Sequence, residues 1–109
     1  MSLDDPLPEV IARADRIFVD DWGAIVADGR RLLGRMARAG HVRSRESDGD
    51  GRPIDGELGE LLNGARPGRT RPDEIIVVNP FGLAIEDVAL AIKVYRQTEG
   101  LGLGKVLER

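Results

Sequence analysis

The apolar residues of this chain fall into two kinds of run. From Trp22 to Ala39 the positions Trp22, Ile25, Val26, Gly29, Leu32, Leu33 and Met36 recur at steps of three and four, which marks one face of a helix. The spacing predicts a helix over 22–39, with Gly40 as a left-handed stop and Gly29 on the apolar face where another backbone can approach closely. A shorter helix is predicted over 6–14, with Pro6 near its start and Leu7, Val10, Ile11 and Ala14 on one side. A last one is predicted over 84–98, with Ile85, Val88, Ala89, Ile92 and Tyr95 inward, Glu86 and Asp87 near its positive end, and Gly100 closing it.

The second kind of run is short and lacks polar alternation. Arg16–Asp20 (RIFVD) and Glu74–Asn79 (EIIVVN) read as strands covered on both faces, as in parallel sheets. The Asn79-Pro80 step ends the second. Between them, residues 44–53 (SRESDGDGRP) are polar and glycine-rich with no apolar anchor, which predicts a flexible surface loop. Asp55 is expected to cap a short helix that places Glu57 and Glu60 early, turns Leu58, Leu61 and Leu62 inward and ends at Gly64. The order α, β, α, short α, β, α predicts an α/β fold built on a two-stranded parallel sheet with flanking helices. Two such strands leave both edges unpaired, so the sheet is expected to be completed by another chain.

At 109 residues, with 41% hydrophobic and 32% charged positions and a net charge of -3, the chain is one unit, 1–109, and not two domains. The absence of cysteine removes disulfides and thiolate metal sites. No run approaches the ~20 apolar residues of a membrane span, and the first residues lack the regions of a signal peptide. A cytoplasmic protein that does not engage membranes is expected. Arg30, Arg31, Arg35, Arg38, Arg43 and Arg45 occur with no acid between 29 and 45, which raises the question of a polyanion partner. Because these arginines fill the polar positions of an amphipathic helix and its exit, and aromatics are only 4% of the chain, a solvated or acid-paired face is the preferred reading and nucleic acid is disfavoured.

Several motifs fail on spacing. Gly100–Lys105 (GLGLGK) follows a helix and not a strand, so it is neither a dinucleotide loop nor a P-loop. Counting from Asp48 puts Gly59 where a calcium loop needs a carboxylate. His41 is the only histidine and, without cysteine, builds no zinc site of the usual kinds; it suits a helix C-terminus. No metal site is expected. Asp20 and Asp21 stand at the carboxyl end of a predicted parallel strand, where open α/β sheets bind ligands, and Asn79 emerges at the same end. The competing reading is that an acid there caps the helix starting near Trp22.

One stretch, Asp73-Glu74-Ile75-Ile76-Val77-Val78-Asn79-Pro80-Phe81-Gly82-Leu83-Ala84-Ile85-Glu86-Asp87, resembles the C-terminal signature of the ornithine cyclodeaminase and mu-crystallin family. Ala14–Asp21, Gly56–Gly64, Pro67-Gly68-Arg69 and Gly102-Leu103-Gly104 follow that family's order and approximate spacing. The resemblance covers nearly the whole chain and the last third of a family member. It implies a partial Rossmann-like sheet plus a returning C-terminal helix, taken from an NAD(P)-dependent cyclodeaminase lyase or amino-acid dehydrogenase. The family's glycine-rich loop, substrate-binding Arg and Lys and catalytic Asp precede the matched region, so no catalytic residue is assigned. The resemblance places Asn79, Pro80 and Gly82 beside the nicotinamide, in a turn that often reads Lys-Ser in the family. The Pro-Phe-Gly form is similar to the branch that makes 2,3-diaminopropionate precursors by opine-type dehydrogenation. NAD(P) is the cofactor expected for the parent enzyme, and none is expected on this chain alone. The expected partners are a second copy or the remainder of the enzyme; the alternative is a non-enzymatic interaction module derived from the fold.

Overall fold

The structure, a computed structural model, describes residues 6–105 and 107. Its centre is β1 (Arg16–Val19), flanked by β4 (Gly56–Glu57) and β5 (Ile76–Val78) in a parallel sheet of order β4-β1-β5. Ile17 pairs with Val77 and Phe18 with Val78 on one side, and Phe18 pairs with Gly56 on the other. The two predicted strands are therefore parallel neighbours. The expectation of only two strands is corrected, because Gly56–Glu57 adds a third that is too short to show any pattern. Asp55 sets its register: its backbone N–H donates to Ile17 O at 2.8 Å, and its carboxylate accepts the Ile17 N–H at 2.9 Å. Asp55 is thus a strand anchor and not a helix cap. The short helix α4 (Leu58–Leu62) starts at Glu57, whose N–H donates to Glu60 Oε2 at 3.0 Å.

The predicted helix over 22–39 is two helices, α2 (Trp22–Asp28) and α3 (Leu32–Arg38). Gly29 takes a left-handed conformation, φ 58 and ψ 8, and stops α2; the periodic pattern survives because both halves turn their apolar side to one core. Ile25, Leu32 and Leu33 pack there with Ile11 and Ala14 around α1 (Pro8–Arg13), Ile17 and Val19 of β1, Val42 and Ile54. Phe18, of opposite parity along β1, is buried outside that cluster. A second, two-stranded parallel pair joins β2 (Val42–Arg43) to β3 (Arg52–Pro53). Arg43 holds the intervening 44–51 segment by donating to the carbonyls of Gly51, Ser44 and Ser47. Its anchor is a guanidinium.

The last helix, α5 (Ala84–Gly100), runs two residues beyond its expected end. Its expected inward face is corrected: Ile85 is 71% exposed, Val88 55%, Ile92 47% and Tyr95 65%, and no residue of α5 is buried. The sheet's β5 side is also open, with Ile75 and Val78 exposed. By contrast most of the apolar side of 22–36 is spent inside the fold, with Ile25, Leu32 and Leu33 buried and Trp22 and Met36 packed against them. No helix among the described residues is long and apolar enough to cross a membrane.

Candidate functional site at the carboxyl end of the sheet

Parallel pairing brings Asp20, Asp21, Glu57 and Asn79–Gly82 to one end of the sheet. There the chain leaves each strand and its first backbone N–H groups lose their ladder partners, so something else must accept them. Carboxylates do. Asp20, 9% exposed, accepts the N–H of Phe81 at 2.8 Å, of Gly82 at 2.7 Å and of Asp21 at 2.9 Å. Burial alone raises its pKa, but these N–H bonds outweigh that and hold the carboxyl below its ordinary value. Asp21 caps α2 by accepting the Ala24 N–H at 2.7 Å. Glu57 Oε1 accepts the Trp22 N–H at 2.9 Å. The capping reading therefore holds for Asp21, whereas Asp20 reaches across to the turn after β5.

That turn carries the three residues singled out from the sequence. Asn79 is buried at 9% exposure, its N–H donating to Phe18 O at 2.9 Å, and its carboxamide bonds no described residue. Pro80 and Gly82 are exposed, Gly82 at φ 91, a conformation that disfavours any side chain. A second grip comes from Arg31, whose Nη1 donates to Phe81 O at 2.9 Å while the guanidinium lies 4.7 Å from the centroid of the Phe81 ring. Arg31 belongs to the run of arginines whose spacing suggests a solvated or acid-paired face, and it does neither here: its partner is a carbonyl and a ring. Fifty positions separate it from Phe81, and no periodicity links them.

A cleft of about 290 Å³ opens beside this end, lined by Trp22, Arg45, Glu46, Ile54, Glu57 and Glu60 among others. Its acids are already engaged: Glu60 holds Arg66 at 3.4 Å besides the Glu57 N–H, and Glu46 accepts the Ser44 hydroxyl at 2.9 Å. Among the described residues no three His, Cys, Asp or Glu side chains come together as metal ligands.

A dinucleotide needs consecutive free N–H groups at a turn to hold its pyrophosphate. The N–H groups of Asp21, Trp22, Ala24, Phe81 and Gly82 all go to carboxylates of the chain itself. These five N–H groups therefore offer no pyrophosphate cradle at this end of the sheet.

A family model described as ornithine cyclodeaminase/mu-crystallin family matches residues 6–101. The chain is 35% identical, over 98% of its length, to the N-((2S)-2-amino-2-carboxyethyl)-L-glutamate dehydrogenase of Staphylococcus aureus, of which it covers 30%. It is 29% identical over 90% of its length to a delta(1)-pyrroline-2-carboxylate reductase of Bacillus cereus, covering 28% of that protein. Among solved structures it is similar to the crystal structure of CmnK, with a TM-score of 0.76, 37% identity, and coverage of 97% of this chain and 29% of that one. The chain thus spans about 30% of the length of the relatives it matches.

Proposed function

The chain belongs to the ornithine cyclodeaminase/mu-crystallin family, a family of NAD(P)-dependent enzymes, and on that premise we propose that it acts as the C-terminal wall of such an enzyme. In this reading it contributes Asn79, Pro80 and Gly82 to the nicotinamide side of the active site and supplies no catalytic residue. The cofactor, when bound in the whole assembly, supplies hydride transfer; this chain orients one side of it and excludes water. The observation that supports the reading is the turn after β5, held by Asp20 and Arg31 at the carboxyl end of the parallel sheet, the end at which open α/β sheets bind ligands. The substrate class is an amino or imino acid, and the match to the staphylococcal dehydrogenase favours opine-type dehydrogenation. The place of action is the cytoplasm.

The test is a chimera in which this chain replaces the matched third of the staphylococcal dehydrogenase. Turnover with KM for the dinucleotide raised several-fold by Asn79→Ala is the expected result. A chimera that folds by circular dichroism yet shows no turnover overturns the reading. The exposed apolar side of α5 also fits the alternative, a non-enzymatic module that associates through that helix. Turnover by the chimera with no self-association of the isolated chain rejects it.

A further inference from the structure

Six arginines lie between positions 30 and 45, and among the described residues Arg30 alone of them pairs with a carboxylate. Arg31, Arg35 and Arg43 donate to backbone carbonyls. The guanidinium groups of Arg38 and Arg45 bond no described residue. A lone cation is ordinary where a long side chain simply carries its charge into water. Arg38 differs, because its guanidinium lies against the backbone of Gly29, where a Cβ would overlap it. Gly29 thus ends α2 and also seats the head of Arg38.

Arg38 borders a cleft of about 240 Å³ between α2, α3 and β2, which Trp22, Val26, Ala37, Val42 and Arg43 also line, and no lining residue is acidic. The apolar part is partly open, with Val26 38% exposed. Both cations of the cleft are fixed, Arg38 by its contact with Gly29 and Arg43 by the carbonyls of Gly51, Ser44 and Ser47. Trp22 and Ser44 also border the cleft at the carboxyl end of the sheet, and Arg45 stands on that side of them. Its neighbour Glu46 accepts the Ser44 hydroxyl.

We propose that this cleft docks an acidic peptide segment of a partner protein, with one apolar side chain between Trp22, Val26 and Ala37 and flanking carboxylates on Arg38 and Arg45. Charge complementarity selects the occupant: an apolar seat free of acids and bordered by guanidinium groups favours a ligand that carries an apolar group and negative charge together. The volume lies below the about 300–1,000 Å³ of small-molecule sites, and suits a single side chain. A nucleic acid would need several rings for stacking, and Trp22 is the only ring in the lining. The exposed apolar side of α5 in a second copy runs along 17 residues and asks for a groove. Because Arg38 and Arg43 are already held, docking orders fewer side chains than it would on mobile arginines. None of these residues belongs to the turn after β5, so docking here does not depend on that turn.

Trp22 is the only tryptophan, so its emission reports on the cleft in the full chain. The probes are acetyl-Glu-Glu-Leu-Glu-Glu-amide, the same peptide with Gly in place of Leu, the same with Lys in place of every Glu, and oligothymidylate. At low ionic strength the leucine peptide is expected to shift the emission saturably, with a Kd of about 1 mM or below. The glycine peptide should bind at least about tenfold more weakly, having no side chain to bury, and the lysine peptide should give no shift. Arg38→Gln should weaken the leucine peptide at least about fivefold, and added salt should weaken it further. Arg38 is exposed, and should the variant nevertheless fail to fold by circular dichroism, Arg45→Gln carries the same measurement. No shift by the leucine peptide at several times about 1 mM, equal binding of the glycine peptide, or binding indifferent to the arginine variants would each overturn the proposal. Tighter binding of oligothymidylate would make the occupant a nucleic acid, and self-association abolished by Arg38→Gln would make it a second copy; either result also overturns it.

Discussion

Glu74 is buried at the amino end of the sheet, opposite the site, and its carboxylate accepts the Thr70 hydroxyl at 2.6 Å and the Thr70 N–H at 2.7 Å, with Arg16 Nε at 3.5 Å. The Thr70 hydroxyl bond is the largest influence, and together these partners pull its pKa from 4.5 to about 2. A carboxyl whose folded pKa lies below its unfolded one contributes stability that is complete above the unfolded value and disappears as pH falls through the folded one. Denaturant titrations should therefore show stability dropping between about pH 4.5 and 2, and Glu74→Gln should flatten that drop while lowering stability at neutral pH. An unchanged pH profile in the variant would refute the assignment. Gly34 works by size alone: a Cβ there would lie 2.7 Å from Ile25 O and from Gly29 Cα, so α2 and α3 approach as closely as they do because it has none. Gly34→Ala is expected to cost about 1–3 kcal/mol, read as a lowered denaturation midpoint at unchanged slope. Neither role was legible in the sequence. Glu74 read as the first residue of a strand because Arg16 is 58 positions away, and a glycine inside a helical pattern reveals its neighbour only after the chain has folded.

The elements divide by the same rule. β1 and β5 were legible as parallel neighbours from their uninterrupted β-branched and aromatic residues; β1 is covered on both faces as that predicts, whereas β5 is not, with Val77 packed on the core and Ile75 and Val78 exposed. The break at Gly29 was not legible, since two helices folded back on one core keep the periodicity of a single long one. β4 was not legible either, because two residues carry no period and its register comes from Asp55 meeting Ile17. At the site, the sequence placed Asp20 and Asn79 at one end correctly and allowed for the Asp21 cap; it missed the bonds from Phe81 and Gly82 to Asp20 because their partners lie 61 and 62 positions away and no local spacing links them. Helix α5 makes the sharpest test at this scale. Its apolar residues have the spacing of a core helix and the exposure of a surface one, so they contribute little to folding of this chain. Ile92→Glu is expected to change unfolding free energy by no more than about 0.5 kcal/mol. The same substitution should weaken any association made through this face by at least about tenfold, as a buried carboxylate with no partner would. A large loss of stability in dilute monomer would show that α5 belongs to the core.

For the whole molecule, one core on the α1–α2–α3 side contrasts with an open β5 flank and an uncovered 17-residue helix. Exposed apolar surface of this extent marks an interface, and a strand edge without a neighbour invites another strand. The chain spans about 30% of its relatives' length, and on the function proposed above the rest of such an enzyme would cover these faces, a second copy substituting when the chain stands alone. Sedimentation of the isolated chain should accordingly show association that grows with concentration; a monomer at every concentration contradicts it. The charge layout at the carboxyl end adds a second consequence. Five N–H groups there terminate on Asp20, Asp21 and Glu57, so the end of the sheet that would greet a dinucleotide offers carboxylates where a pyrophosphate needs donors. Calorimetry with NAD and with NADP is therefore expected to detect no micromolar binding to the isolated chain at low ionic strength, where screening of the carboxylates is least. Raising the salt should not reveal any, because the deficit is of donors as well as of charge. Micromolar affinity for either dinucleotide would mean that a phosphate cradle exists within this chain, and the division between a wall supplied here and an anchor supplied elsewhere would fall with it.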